Sequence, residues 1–158
     1  MTITIEPAGK AHLSAWAALR AELWPEADAA EHRAEIEAAL AAGRDHAFAC
    51  VALTGEGACI GFAEAALRSD YVNGCETSPV VFLEGIFVAG PHRRSGVARM
   101  LCRAVEAWGR GHGCSEFASD AAIGNAASLA LHRALGFVET ERVVFFRKPL
   151  AAEDGGAT

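Results

Sequence analysis

Apolar and polar positions alternate through Thr2, Ile3, Thr4, Ile5 and Glu6 until Pro7, which predicts a first strand at residues 2–6. From Ala11 the period changes, and Leu13, Trp16, Leu19 and Leu23 recur at helical spacing before Pro25. A second amphipathic stretch, residues 28–42, carries Ile36 and Leu40 on one face and ends at Gly43, a residue suited to a helix C-cap. Residues 47–53 and 58–67 are apolar runs joined by Thr54-Gly55-Glu56-Gly57, the layout of a hairpin. The run at residues 80–88, Val-Val-Phe-Leu-Glu-Gly-Ile-Phe-Val, has the length and β-branched content of a strand covered on both faces, with Glu84 in its middle. A turn rich in Gly and Pro follows, and Val97, Met100, Leu101, Ala104, Val105 and Trp108 then return to helical spacing.

Residues 115–119 read as a short strand, 120–124 as a loop, 125–135 as a helix and 138–146 as a last strand completing the sheet. The order β-α-α-β-β-β-α-β-α-β predicts an α/β domain, a mixed sheet with helices on both faces, over residues 1–150, followed by a disordered tail at 151–158. A polar loop at residues 68–79 precedes the central strand, a position where loops usually carry ligand contacts.

Composition narrows the chemistry. A chain of 158 residues fits one domain, and a net charge of -6 argues against a nucleic-acid partner while suiting a cationic small substrate. The five cysteines are odd in number, scattered and without a Cys-x-x-Cys pair, so neither a disulfide framework nor a metal site is expected. No run approaches the roughly 18 apolar residues of a membrane span, and the N-terminus lacks the layout of a signal peptide. A cytoplasmic protein without a membrane partner is the expectation.

The turn between the central strand and the next helix has a chemical use. A helix start offers unpaired N–H groups and the positive end of the macrodipole to an anion, Gly96 removes a Cβ from its path, and Arg93 and Arg94 add charge there. Arg93-x-x-Gly96-x-Ala98 after a strand resembles the pyrophosphate loop of the GCN5-related N-acetyltransferases. Asn125-x-x-Ser128-x-x-Leu131-His132-x-x-x-Gly136-Phe137 is similar to that family's other cofactor helix. The resemblance implies the family's fold, with acetyl-CoA as co-substrate. Its pyrophosphate would lie on Arg93, Arg94, Ser95, Gly96, Val97, Ala98 and Arg99, its arm on the backbone of Ile86, Phe87 and Val88, and Asn125 beside it.

Acetyl transfer needs a proton acceptor for the amine, a polarised carbonyl and a proton for the leaving thiol. Glu84, a carboxylate in an apolar strand, is the first candidate base, acting directly or through water; it equally fits an ammonium anchor or an acid paired with a structural arginine. Gly85 fits either a bulge that frees an N–H for the thioester oxygen or plain close packing. Asp120, just past a strand, is a second candidate or an ordinary turn aspartate. His132 stands where many relatives carry a tyrosine acid, and fits that role or a packed helix position.

Longer stretches, among them residues 19–25, 64–75 and 136–144 with Phe82-Leu83-Glu84-Gly85-Ile86, resemble the type I aminoglycoside 6'-N-acetyltransferases. What this resemblance implies is 6'-amino transfer to an aminoglycoside, with Trp24, Tyr71, Glu84, Asp120 and Glu141 contacting the antibiotic, and a homodimer involving the C-terminal strand. The competing readings are an acetyltransferase for another small amine or a protein N-terminus, and a non-catalytic acetyl-CoA sensor.

Overall fold

The elements up to residue 135 follow from the pattern to within two residues at each end. The computed structural model describes residues 2–153 apart from Arg44, and the tail expected at 151–158 lies outside the described residues from Asp154 onward. The strands are β1 (Ile3–Pro7), β2 (Ala47–Thr54), β3 (Cys59–Arg68), β4 (Val80–Val88) and β5 (Phe117–Ser119). The helices are α1 (Leu13–Leu23), α2 (Ala29–Ala42), α3 (Val97–Gly111) and α4 (Ala126–Ala134). Asp28 caps α2 by accepting from the Glu31 N–H, and Gly43 ends it in the left-handed region, as its position after the apolar stripe requires.

The sheet runs in the order β1-β2-β3-β4-β5, antiparallel except for the parallel pair β4–β5. Pro7 is the last residue of β1 rather than the residue after it; β1 is an edge strand, where a missing N–H disturbs no ladder. Helix α3 covers one face, burying Val97, Leu101 and Val105 against Val81, Leu83, Ile86 and Val88. Helices α1 and α2 cover the other, with Trp16, Leu19 and Ile36 over Val51, Leu53 and Phe62. A small third cluster of Val72, Val80 and Phe82 seats the β3–β4 loop.

Strand β4 carries an irregularity that its alternation exposes. Leu83, Ile86 and Val88 all belong to the core beneath α3, so one extra residue lies between Leu83 and Ile86. The register says the same: Ala65 pairs with Leu83 and Glu64 with Gly85, leaving Glu84 without a β3 partner. Of the two readings that Gly85 left open, a bulge and close packing, both are present: the register shifts here and Trp24 packs on the glycine.

The last strand is the correction. Residues 138–150 form no strand, and Val144, Phe145 and Phe146 are 77%, 87% and 93% exposed. A β-branched and aromatic run such as Val143-Val144-Phe145-Phe146 becomes a strand only where an edge is available to pair with it, and no described residue of this chain pairs with this segment.

The β3–β4 loop is clamped from β5's side. The Glu116 carboxylate accepts from the N–H groups of Glu76 (2.9 Å) and Thr77 (2.7 Å) and from the Thr77 hydroxyl. Those bonds, the Thr77 hydroxyl foremost, hold its pKa below the ordinary carboxylate value. A carboxylate with a folded pKa below its unfolded one stabilises the fold above the unfolded value and loses that contribution as pH falls through the folded value. The melting temperature of Glu116→Gln will therefore lie below wild type at about pH 7 and converge with it as the pH falls through the lowered folded-state pKa, and protease will cut the variant faster within residues 69–79.

Candidate active site

Strands β4 and β5 stay together for three pairs, Val81 with Phe117, Phe82 with Ala118 and Leu83 with Ser119, and then part. Beyond Leu83 the β5-facing edge of β4 has no strand partner among the described residues, which leaves backbone groups among Glu84, Gly85, Ile86, Phe87 and Val88 to pair with an extended ligand. This notch is the first half of the site. At its apex Ser119 Oγ lies 3.3 Å from the Leu83 carbonyl oxygen and 2.8 Å from His132 Nε2. His132 Nδ1–H donates to the Ser128 carbonyl at 2.7 Å, so the neutral ring accepts from the Ser119 hydroxyl through Nε2. A protonated ring donates instead and leaves that hydroxyl free for Leu83.

The start of α3 lies beyond β4, reached through the turn that follows it. Gly96 caps α3 at φ 84°, Met100 N–H makes the first helical bond to its carbonyl, and the N–H groups of Val97, Ala98 and Arg99 precede that bond. Arg94 and Ser95 are exposed, with Arg94 itself at φ 62°. Not every cation of the turn is free. Arg93 Nε donates to the Val88 carbonyl at 2.8 Å, and Arg99 Nη2 donates to the Ala134 carbonyl at 2.8 Å, tying α3 to the end of α4. Asn125 caps α4 by accepting from the Ser128 N–H at 3.1 Å, which leaves its amide N–H groups for a ligand.

The second half lies on the α1/α2 face. The bulge sends the Glu84 side chain out to 41% exposure, 3.4 Å from Arg68 Nη2, whose guanidinium carbon lies 3.5 Å from the Phe82 ring centroid. Trp24, closing α1, occupies the space a side chain on Gly85 would need: a Cβ there would fall 2.4 Å from Trp24 Cζ2. The indole therefore lies against the bulge beside Glu84. Asp120 follows Ser119, the last β5 residue paired with β4, and is exposed. Tyr71 is 72% exposed on the β3–β4 loop. Glu141 is exposed at the root of the 138–150 segment, where Thr140 packs on Gly74 of that same loop at φ 83°. Arg142 pairs with Glu139, not with Glu141.

The fold thus sets Trp24 and Glu84 at the bulge beside the notch, with Ser119 and His132 at its apex and Asp120 next after Ser119, and leaves Tyr71 and Glu141 exposed. Sequence reasoning missed Arg68, placed there in a loop although it ends β3, and a partly buried pair between Glu64 and Arg20 at 3.4 Å. Glu64 carried the same signal as Glu84, an acid inside an apolar run.

A β4–β5 notch opening toward a basic helix start, with a carboxylate at a bulge beside it, is the architecture of an acyl-CoA-dependent N-acyltransferase. The chain belongs to the Acetyltransferase (GNAT) family, whose match spans residues 13–137. It is 54% identical over 139 residues, 88% of this chain and 94% of the relative, to aminoglycoside N(6')-acetyltransferase type 1 of Serratia marcescens. It is 50% identical to the protein of the same name from Salmonella enteritidis, covering 91% of this chain and 97% of that one. Among solved structures it is similar to AAC(6')-Iy in complex with the bisubstrate analog CoA-S-monomethyl-acetylneamine, with TM-score 0.86, 47% identity and coverage of 95% of this chain and 100% of that one. It is also similar to AAC(6')-Ih from Acinetobacter baumannii, with TM-score 0.89, 45% identity and coverage of 95% and 100%.

Gly85→Ala must displace Trp24 or the bulge. The substitution is expected to cost about 1–3 kcal/mol in denaturant unfolding and to shift the tryptophan emission, whereas a Cβ tolerated without either change contradicts the packing described.

Proposed function

We propose that this chain transfers an acetyl group from acetyl-CoA to the 6'-amino group of an aminoglycoside, by direct attack in a ternary complex. The observation that carries the reading is the juxtaposition at one point of β4: the open edge of the notch on one side, and Glu84, turned out by the bulge, on the other. The names of the relatives at about half identity support the acceptor.

The pantetheine arm pairs with the free edge at Ile86, Phe87 and Val88, and the pyrophosphate takes the N–H groups from Gly96 to Arg99 with Arg94 and Ser95. Arg93 braces the end of β4, and Asn125 meets the arm through its amide. Glu84, directly or through a water, removes one proton from the 6'-ammonium. The amine then attacks, a C–N bond forms, and the oxyanion is met by an N–H freed at the bulge. Collapse breaks the C–S bond, the imidazolium form of His132 gives the thiolate its proton from Nε2 by way of the Ser119 hydroxyl, and the nitrogen's second proton restores that imidazolium, leaving the proton on Glu84 to be released. One proton is released overall. Asp120 and Glu141 hold other ammonium groups of the polycation, and Trp24 and Tyr71 offer ring faces to its sugars and cations.

The working form is a homodimer in which the apolar 138–150 segment of each copy is covered by the other. Support comes from its exposed Val143, Val144, Phe145 and Phe146 and from β5, an edge strand with no outer neighbour. Five unpaired cysteines suit a reducing cytoplasm, and no described helix is long and apolar enough to cross a membrane.

Thiol release with acetyl-CoA and paired aminoglycosides will be fast only with the member bearing a 6'-amino group; equal rates on both exclude 6' transfer. Glu84→Gln will lower turnover about 100-fold with the acetyl-CoA KM unchanged, and unchanged turnover removes Glu84 from the chemistry. Equilibrium sedimentation at micromolar concentration will give twice the mass of one chain; a single-chain mass contradicts the dimer.

A further inference from the structure

Behind the acceptor wall lies a charged cluster that the transfer chemistry does not use. Glu64 stands on β3 opposite Gly85, its side chain 18% exposed, and Arg20 of α1 reaches it at 3.4 Å through Nη1. Arg20 Nη2 also donates to Glu35 of α2 at 2.9 Å, and its guanidinium carbon lies 5.1 Å from the Trp24 ring centroid. The carbonyl of Trp24 accepts from Nε2 of His32, a residue 3% exposed. The indole itself meets Phe62 edge-on at 6.0 Å and fills the hollow over Gly85. Arg20 Nε and His32 Nδ1 are buried without a hydrogen-bond partner among the described residues, Nδ1 lying 4.0 Å from the Glu35 carboxylate.

An ion pair withdrawn from water adds little stability over apolar groups of the same shape. This one, however, stands where it fixes a ring. We propose that Glu64 is a positioning residue for the acceptor: by anchoring Arg20 it holds Trp24 against Gly85, and so sets the wall beside which Glu84 meets the ammonium. The proposal rests on the aminoglycoside reading above and adds to it a residue that does not touch the substrate.

Four charged or titratable groups face Glu64: Arg20 from α1, His32 and Glu35 from α2, and Glu84 from β4. Burial raises its pKa to about 7; Arg20 and His32 oppose the shift, and Glu84 and Glu35 add to it. Below that value Glu64 is protonated and Arg20 loses its strand partner. An ammonium that neutralises Glu84 removes one of the raising influences, so acceptor binding and the Arg20–Glu64 pair reinforce each other.

The test measures thiol release by wild type, Glu64→Gln, Trp24→Ala and the double variant, with acetyl-CoA and a 6'-amino aminoglycoside. Glu64→Gln will raise the acceptor KM about tenfold at about pH 8, with kcat and the acetyl-CoA KM within about twofold of wild type. The variant-to-wild-type ratio of acceptor KM will shrink toward one as the pH is lowered through about 7, because protonated Glu64 resembles Gln. In the Trp24→Ala background Glu64→Gln will add nothing, the two acting as one unit. Should Glu64→Gln be recovered unfolded, Arg20→Lys, which keeps the charge but loses the fork, carries the same expectation. An unchanged acceptor KM, a parallel rise in both KM values, a ratio independent of pH, or additivity with Trp24→Ala each overturns the positioning role alone. No turnover of the aminoglycoside by wild type overturns the functional reading as well.

Discussion

One extra residue in β4 governs the site. A strand must alternate its side chains, and inserting Glu84 between Leu83 and Gly85 breaks that alternation once. Without the insertion Glu84 and Gly85 would point to opposite faces. With it, both lie toward α1 and α2, while Ile86 and Val88 return to the core under α3. The acid leaves the interior, and the glycine beneath it gives Trp24 a seat that any other residue would fill. The same stretch is where β5 departs, so the free backbone edge and the free carboxylate arise at adjacent residues.

The surroundings accept costs to keep that arrangement. An unpaired strand edge and uncapped helix N–H groups are unfavourable unless water or a ligand satisfies them, which is why a site for an extended amide-bearing chain ending in phosphates forms there. A half-exposed Glu84 keeps contact with water, and Arg68, spread over Phe82, lies 3.4 Å from it. Glu64 differs: buried, it titrates near neutrality, and its cost is met by Arg20. The pair of acids thus separates one group that faces solvent from one that faces the protein.

Elements formed by local spacing were legible in the sequence. The stripe of Leu13, Trp16 and Leu19, the Gly43 cap, the Gly-rich hairpin turn and the Gly96 helix start need only near neighbours, and each lies where the pattern puts it. Glu84 was legible because an acid in an apolar run demands a reason, and Gly85 because a strand seldom keeps a glycine without one. What was not legible depends on distant residues. Arg68 meets Glu84 across a loop, Arg20 meets Glu64 across two helices, and Thr140 meets Gly74 from the far end of the chain. Residues 138–146 end in a β-branched and aromatic run, but such a run does not say whose edge it would join. His132 read equally as acid or packing because its bond to Ser119 depends on how β5 and α4 meet.

Hydrogen exchange at the backbone of β4 tests the central claim most directly, because it reads the free edge itself. Adding acetyl-CoA alone should slow exchange among Ile86, Phe87 and Val88 and at Val97, Ala98 and Arg99, while the amides of β1 keep their rates. Protection that bypasses residues 85–88, or that falls on the opposite edge of the sheet, would contradict a site built where β4 and β5 part.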